Sequence, residues 1–69
     1  MSGHVYKLSE IVGSSTTGVD DAVRTAIRKA AETVHHIEWF ETSEIRGYVV
    51  DGEIAYFQVK VKIGFRLEE

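Results

Sequence analysis

The segment GVDDAVRTAIRKAAETV, residues 18–34, decides the fold, because its apolar residues recur at spacings of three and four for over four turns. That spacing predicts an amphipathic helix with one buried face. Acidic residues come first and basic residues later, as the helix dipole favours. Thr17, with Asp20 three residues on, predicts a capping box. The buried stripe is mostly alanine and valine, so we expect the helix to lie close against a curved sheet.

Strand-forming segments lie on both sides of this helix. Residues 4–12 are rich in strand-forming residues and end at Gly13-Ser14-Ser15, which predicts a turn. After the helix, the runs 37–50 and 55–67 are joined by Asp51-Gly52, a strong hairpin signal. The predicted order is β-α-β-β in a single α+β domain spanning residues 1–69.

The last run alternates strictly between apolar and polar residues from Ala55 to Leu67, which predicts a half-buried strand. The run before it changes parity, since Phe40 and Thr42 share one face and Ile45 continues it. A β-bulge near Ser43-Glu44 would account for the change. We therefore expect Arg46 and Tyr48 to turn to the outer face, the side of the sheet away from the helix.

The length of the chain predicts self-association. A domain of about 60 residues buries only about 60% of its unfolded surface, and chains of this size usually add disulfides, a metal or subunit contacts. The chain has 69 residues and no cysteine, which excludes disulfides and thiolate zinc sites. Its three histidines form no recognisable metal motif. Association with further copies is the expectation that remains.

Charge and motifs exclude several functions. The net charge of −3 is the opposite of a nucleic-acid-binding footprint. No apolar run reaches the roughly 18–20 residues of a membrane span, and no secretory signal is visible, so we expect a cytoplasmic location without membrane or nucleic-acid partners. No Ser/His/Asp order, phosphate loop or carboxylate dyad is present, and His35-His36 is expected to mark the helix end rather than a metal pair. These residues favour a binding protein over an enzyme.

The predicted outer face carries Trp39, Arg46, Tyr48 and Tyr56, whose residue types are enriched in interfaces and pockets, and it also carries Gln58. A single tryptophan in a small domain most often lies in the core or in a subunit interface, and a ligand platform is the alternative. Gln58 and Arg46 taken alone would be solvated surface residues. The residues therefore indicate a binding surface without naming its ligand.

Six short segments, in order and in register, give the chain a resemblance to the dodecin family that covers essentially its whole length. The segments are Val5-Tyr6-Lys7, Glu10 to Ser15, Trp39-Phe40-Glu41, Ile45-Arg46-Gly47, Phe57-Gln58-Val59 and Val61 to Leu67. No single tripeptide is specific, but the combination is. The resemblance implies a three-stranded antiparallel sheet wrapped around one helix, and homo-oligomerisation into a hollow dodecameric shell.

The resemblance also implies flavin pockets at two-fold contacts, where stacked isoalloxazine rings lie between tryptophans of related subunits. Trp39 matches the stacking tryptophan, Gln58 the glutamine that bonds the polar ring edge, and Arg46 the arginine associated with FMN. Some bacterial relatives also associate with coenzyme A, for which Arg66 and Lys7 are the candidates. His35 stands where many bacterial relatives carry arginine or lysine. If that position contacts the phosphate, the resemblance implies that this chain binds FMN less tightly or with more pH dependence.

The resemblance thus predicts non-enzymatic binding, storage and sequestration of flavin, with FMN first and riboflavin second. Two alternatives from other classes stay open. One is a small flavin-dependent reductase, and the other is a structural shell in which Trp39 anchors an interface and any ligand is incidental.

Overall fold

The computed structural model describes residues 3–67. Strand β1 spans Tyr6–Ser15, helix α1 spans Val19–Ala31, β2 spans Ile37–Val50 and β3 spans Glu53–Arg66. The three strands form one antiparallel sheet in the order β1-β3-β2. The predicted β-α-β-β order and fold class are therefore confirmed.

Strand β1 continues through the segment that was expected to turn. Gly13, Ser14 and Ser15 pair with Val59, Gln58 and Phe57, so the prediction of a turn there was wrong. Gly13 is buried beneath the helix, where a Cβ atom would overlap the backbone carbonyl oxygen of Ala22. The glycine thus permits close packing of strand and helix, which is the other common reason for glycine within a strand.

Helix α1 begins differently from the predicted capping box. Gly18 is the N-cap and makes no side-chain capping bond. Instead, Ser15 Oγ accepts hydrogen bonds from the backbone N–H groups of Thr17 and Gly18, at 3.0 and 3.3 Å, and donates to Asp21 Oδ2 at 2.7 Å. A serine at the end of β1 therefore organises the helix entry, with acidic residues in the first turn and basic residues in the last, as predicted.

The two strands after the helix follow the sequence pattern closely. The pairing of β2 with β3 shifts register between Thr42 and Glu44, which confirms the predicted bulge. Asp51 and Gly52 both have positive φ angles, 52° and 78°, as a tight two-residue hairpin requires.

The core is small and the helix covers only part of the sheet. The buried hydrophobic residues are Ala22, Ala26, Val59, Val61 and Ile63. The helix packs against β1 and β3. On the helix side of β2, Phe40 and Ile45 remain 51% and 60% exposed, and an open groove of about 560 Å³ runs between Phe40 and the helix residues Val23 and Ile27. Within residues 3–67, no helix is long and apolar enough to cross a membrane.

Candidate functional site

Cross-strand pairing places the three residues predicted for the flavin site, Trp39, Arg46 and Gln58, on the outer face of the sheet. Trp39 is paired with Gly64, Arg46 with Gln58, and Tyr48 with Tyr56. Residues directly opposite each other in an antiparallel pair project to the same side. The bulge at Ser43 therefore turns Arg46 and Tyr48 to the outer face, as the sequence predicted.

Trp39 lies flat on the sheet. Its indole atoms Cδ2, Cε2 and Cζ2 lie so close to Gly64 that a Cβ atom there would overlap the ring. The Tyr6 ring contacts the indole edge-to-face, with centroids 5.2 Å apart and planes at 62°. Trp39 is still 38% exposed. The indole is therefore held between the backbone at Gly64 and the Tyr6 ring, and the part of it that remains exposed is available to a planar partner.

Gln58 lies in a polar row across all three strands. Arg46 Nε donates a hydrogen bond to Gln58 Oε1 at 3.1 Å, and Gln58 Nε2 donates to Ser14 Oγ at 3.2 Å. Arg46 Nη1 also lies 3.8 Å from Glu44 Oε1, in an ion pair whose side chains are about half exposed. This row offers hydrogen-bonding groups and a guanidinium side by side.

The indole platform and the polar row lie far apart within one subunit. On β3, Gly64 lies beneath Trp39 and Gln58 belongs to the polar row. These two residues are six positions apart, and the pairing of β3 with β1 has no register shift between them. Six residues of strand span about 20 Å. A single tricyclic ring cannot stack on Trp39 and hydrogen-bond to Gln58 of the same chain across that distance. A ring that touches both must be bound between two subunits.

The remaining candidates do not converge within the subunit. Arg66 is paired with Tyr6 on the outer face, and its Nη1 lies 4.0 Å from Glu38 Oε2. Lys7 is paired with Phe65, which packs against the core on the helix side. The two residues predicted for coenzyme A therefore lie on opposite faces of the sheet.

Histidines and acidic residues give no metal centre in the part of the chain that the structure describes. His35 lies in the connection after the helix, exposed and in an edge contact with His36 at 6.5 Å between ring centroids. Among residues 3–67, no group of three or more potential metal ligands comes together.

Sequence reasoning missed three residues that shape this face: Tyr6, Ser14 and Gly64. The glycine carried a usable signal, because a glycine inside a strictly alternating strand often marks a close approach of another group. Tyr6 and Ser14 carried none, because their contacts depend on strand order. The face also holds a stacked pair, Tyr48 on Tyr56, with ring centroids 4.7 Å apart and planes at 19°.

Known proteins match this chain over nearly its full length. The Dodecin family model matches residues 5–68. A curated dodecin of Thermus thermophilus is 43% identical over 67 residues, which is 97% of each chain. The solved structure of the dodecin from Streptomyces davaonensis is 50% identical, with a TM-score of 0.94, and the match covers 99% of this chain and 100% of that one.

A more distant solved structure has a description that names calcium. It is a calcium dodecin from Mycobacterium tuberculosis, described as a calcium-chelating antigen with a novel calcium-binding site. It is 28% identical, with a TM-score of 0.80 over 93% of this chain and 91% of that one.

Proposed function

The chain belongs to the dodecin family, and on that premise we propose that it binds, stores and sequesters flavin without catalysing a reaction. FMN is the leading candidate for the ligand, and riboflavin is the next candidate. The observation that carries the proposal is the indole of Trp39, held flat over Gly64 and still 38% exposed. An isoalloxazine is a flat, electron-poor ring system, and indole is the largest electron-rich surface a protein can offer it. Stacked aromatic pairs contribute about 0.5–1.5 kcal/mol beyond the area they bury.

The polar row supplies the second half of the recognition. The pyrimidine-like edge of a flavin alternates carbonyl acceptors with an N–H donor. The Gln58 carboxamide carries both complementary groups. Its outward position beside Arg46 suits a ring edge that arrives from outside the subunit.

The distance between the two halves supports a site shared by subunits. Each chain offers one platform and one polar row about 20 Å apart. A two-fold axis would bring the Trp39 of one copy to the Gln58 of another, and would pair two platforms on opposite sides of two stacked rings. The flavin site and the oligomer are therefore one proposal.

Exposed apolar surface supports the association into a dodecameric shell. Twelve large hydrophobic residues within residues 3–67 are more than a third exposed in the single subunit. Most of them lie in β1 and in the β2–β3 hairpin, which helps to extend the subunit to 57 Å in its longest dimension. Surfaces of this kind mark contacts with other molecules. Further copies of the chain are the partners we propose, with the cytoplasm as the location.

Arg46 is the proposed contact for the FMN phosphate, since a guanidinium can hold a phosphate by two charge-assisted hydrogen bonds. Its ion pair with Glu44 competes with that role. For coenzyme A, Arg66 and Lys7 remain candidates. Because they lie on opposite faces, one ligand would meet both only if they came from different subunits.

Titration with riboflavin, FMN and FAD, followed by quenching of flavin fluorescence, tests the proposal. An indole stacked on a flavin quenches its emission by electron transfer. We expect saturable quenching by riboflavin and FMN, with one flavin per chain. Unquenched fluorescence at micromolar protein would contradict flavin binding and favour a structural shell.

A further inference from the structure

The side chain of Gln58 is held from both sides by residues that belong to different strands. Arg46 on β2 donates to its carbonyl oxygen at 3.1 Å, and Ser14 on β1 accepts from its amide nitrogen at 3.2 Å. Strand β3 lies between these two strands, so the carboxamide points one end toward each neighbour. Ser14 was not among the residues to which the sequence assigned a binding role.

The chemistry of the two neighbours fixes which end is which. A guanidinium has donors and no acceptor, so the atom that faces Arg46 must be the Gln58 oxygen. The amide nitrogen then faces Ser14, whose hydroxyl oxygen can accept. A flipped carboxamide would set N–H against N–H on the Arg46 side. The orientation therefore follows from the identities of the flanking residues.

This arrangement uses only half of the hydrogen-bonding groups of the Gln58 carboxamide. A carboxamide has two N–H donors and two carbonyl lone pairs. Arg46 uses one lone pair and Ser14 uses one N–H. One donor and one acceptor remain, in a fixed order along the sheet. This remaining donor and acceptor match a ring edge on which an N–H group lies next to a carbonyl.

We propose that Ser14 is a positioning residue that sets ring specificity, by holding the Gln58 carboxamide ready for an imide-type edge. The inference rests on the proposed flavin site and adds the chemical feature that the site selects. The ring N–H at position 3 donates to the free lone pair of Gln58, and the neighbouring ring carbonyl accepts from its free N–H. Without Ser14, the carboxamide is held at one end only, and it loses order before the ligand arrives.

Riboflavin and N3-methylriboflavin test this proposal, because methylation removes the ring donor and leaves the stacking surface. The variants are Ser14→Ala, Ser14→Thr (which keeps the hydroxyl) and Thr16→Ala, a control that removes an exposed hydroxyl two residues along the chain. In Ser14→Ala we expect riboflavin to bind about three- to ten-fold more weakly, as for one lost hydrogen bond. The preference for riboflavin over its N3-methyl analogue should shrink, while the sedimentation coefficient stays unchanged. Ser14→Thr and Thr16→Ala should both keep the preference of the unaltered chain for riboflavin.

The preference ratio distinguishes a positioning role from a structural one, because general loosening of the site would weaken both ligands equally. If the unaltered chain binds riboflavin with a clear preference and Ser14→Ala keeps the same ratio, the inference about Ser14 is overturned and flavin binding stands. If the unaltered chain binds no riboflavin, the proposed function is overturned, and the inference is overturned with it.

Discussion

Arg46 Nε donates a hydrogen bond of 3.1 Å to Gln58 Oε1, directly across the β2–β3 pair. The residue proposed for the phosphate and the residue proposed for the ring edge are thus hydrogen-bonded to each other within the subunit. The bulge at Ser43 is the cause, because without it Arg46 would face the helix side and could not reach Gln58. Removing either residue therefore changes the environment of the other.

Replacement of Trp39 tests the stacking role. Trp39→Ala should lower riboflavin affinity by about tenfold or more, since both the stacking energy and the buried ring area are lost. Fluorescence quenching should fall with it. Trp39→Phe keeps a smaller ring and should bind with intermediate affinity. Sedimentation velocity is the control for assembly. A variant that fails to assemble would identify Trp39 as an interface anchor, and unchanged affinity would contradict the platform.

Gly64 offers a test that leaves the tryptophan in place. In Gly64→Ala, the added methyl group would overlap the indole and lift it off the sheet. We expect a loss of riboflavin affinity comparable to that of Trp39→Ala, measured by the same titration. Gly47→Ala is the matched control in a neighbouring strand, because its methyl group would lie 3.2 Å from Tyr56 O without touching the indole. Normal binding by Gly64→Ala would show that the flat pose of Trp39 is not needed.

The sequence predicted the elements well because each carries its own local signal. Helix periodicity, the Asp51-Gly52 turn and the parity change at Ser43 each depend on a few neighbouring residues, and the structure confirms all three. The prediction failed at Gly13, where one residue type serves two purposes. A turn and a close helix contact both favour glycine, and only the position of Ala22 distinguishes them.

The candidate site was less predictable because it depends on lateral order in the sheet. Alternation indicated which residues face outward, but not that β3 lies between β1 and β2. That order brings Ser14 beside Gln58 and Tyr6 beside Trp39. Neither contact could be read from spacing along the chain, since Ser14 and Gln58 are 44 residues apart.

The groove between helix α1 and β2 predicts a substitution that should dissociate the proposed oligomer. Phe40 lines this groove with Val23 and Ile27 and is half exposed in the subunit. We expect the unaltered chain to sediment as a large closed oligomer. Phe40→Asp would place a charge in an apolar contact and should shift the population to smaller species. Phe40→Leu should remain assembled. A stable folded monomer of the unaltered chain at micromolar concentration would refute the association.

The proposal that the protein binds flavin without catalysing a reaction is testable with nicotinamides. We expect no steady-state oxidation of NADH or NADPH by the flavin-loaded protein above the rate of free flavin. In the proposed site, two rings stacked between two Trp39 side chains would leave no open ring face for a hydride donor. Oxygen consumption and absorbance at the NADH band measure the rate. Saturable turnover that disappears in Trp39→Ala would restore the reductase alternative.

The connection between Arg46 and Gln58 predicts non-additive losses. Gln58→Ala should weaken riboflavin and FMN by similar factors, through one lost pair of ring contacts that costs about 1–3 kcal/mol. Arg46→Ala should weaken riboflavin as well, because Gln58 loses the donor that orients it, and should weaken FMN further, because the phosphate contact is lost.

The double variant separates these two effects. For riboflavin, Arg46→Ala combined with Gln58→Ala should cost less than the sum of the single losses, as expected for residues that act through one contact. The extra loss for FMN should persist in the double variant, since the phosphate contact does not pass through Gln58. High salt should reduce that extra loss, because Arg46 is more than half exposed and exposed charges are screened. Additive riboflavin losses would show that Arg46 does not orient Gln58. Equal losses for FMN and riboflavin in every variant would show that Arg46 does not hold the phosphate.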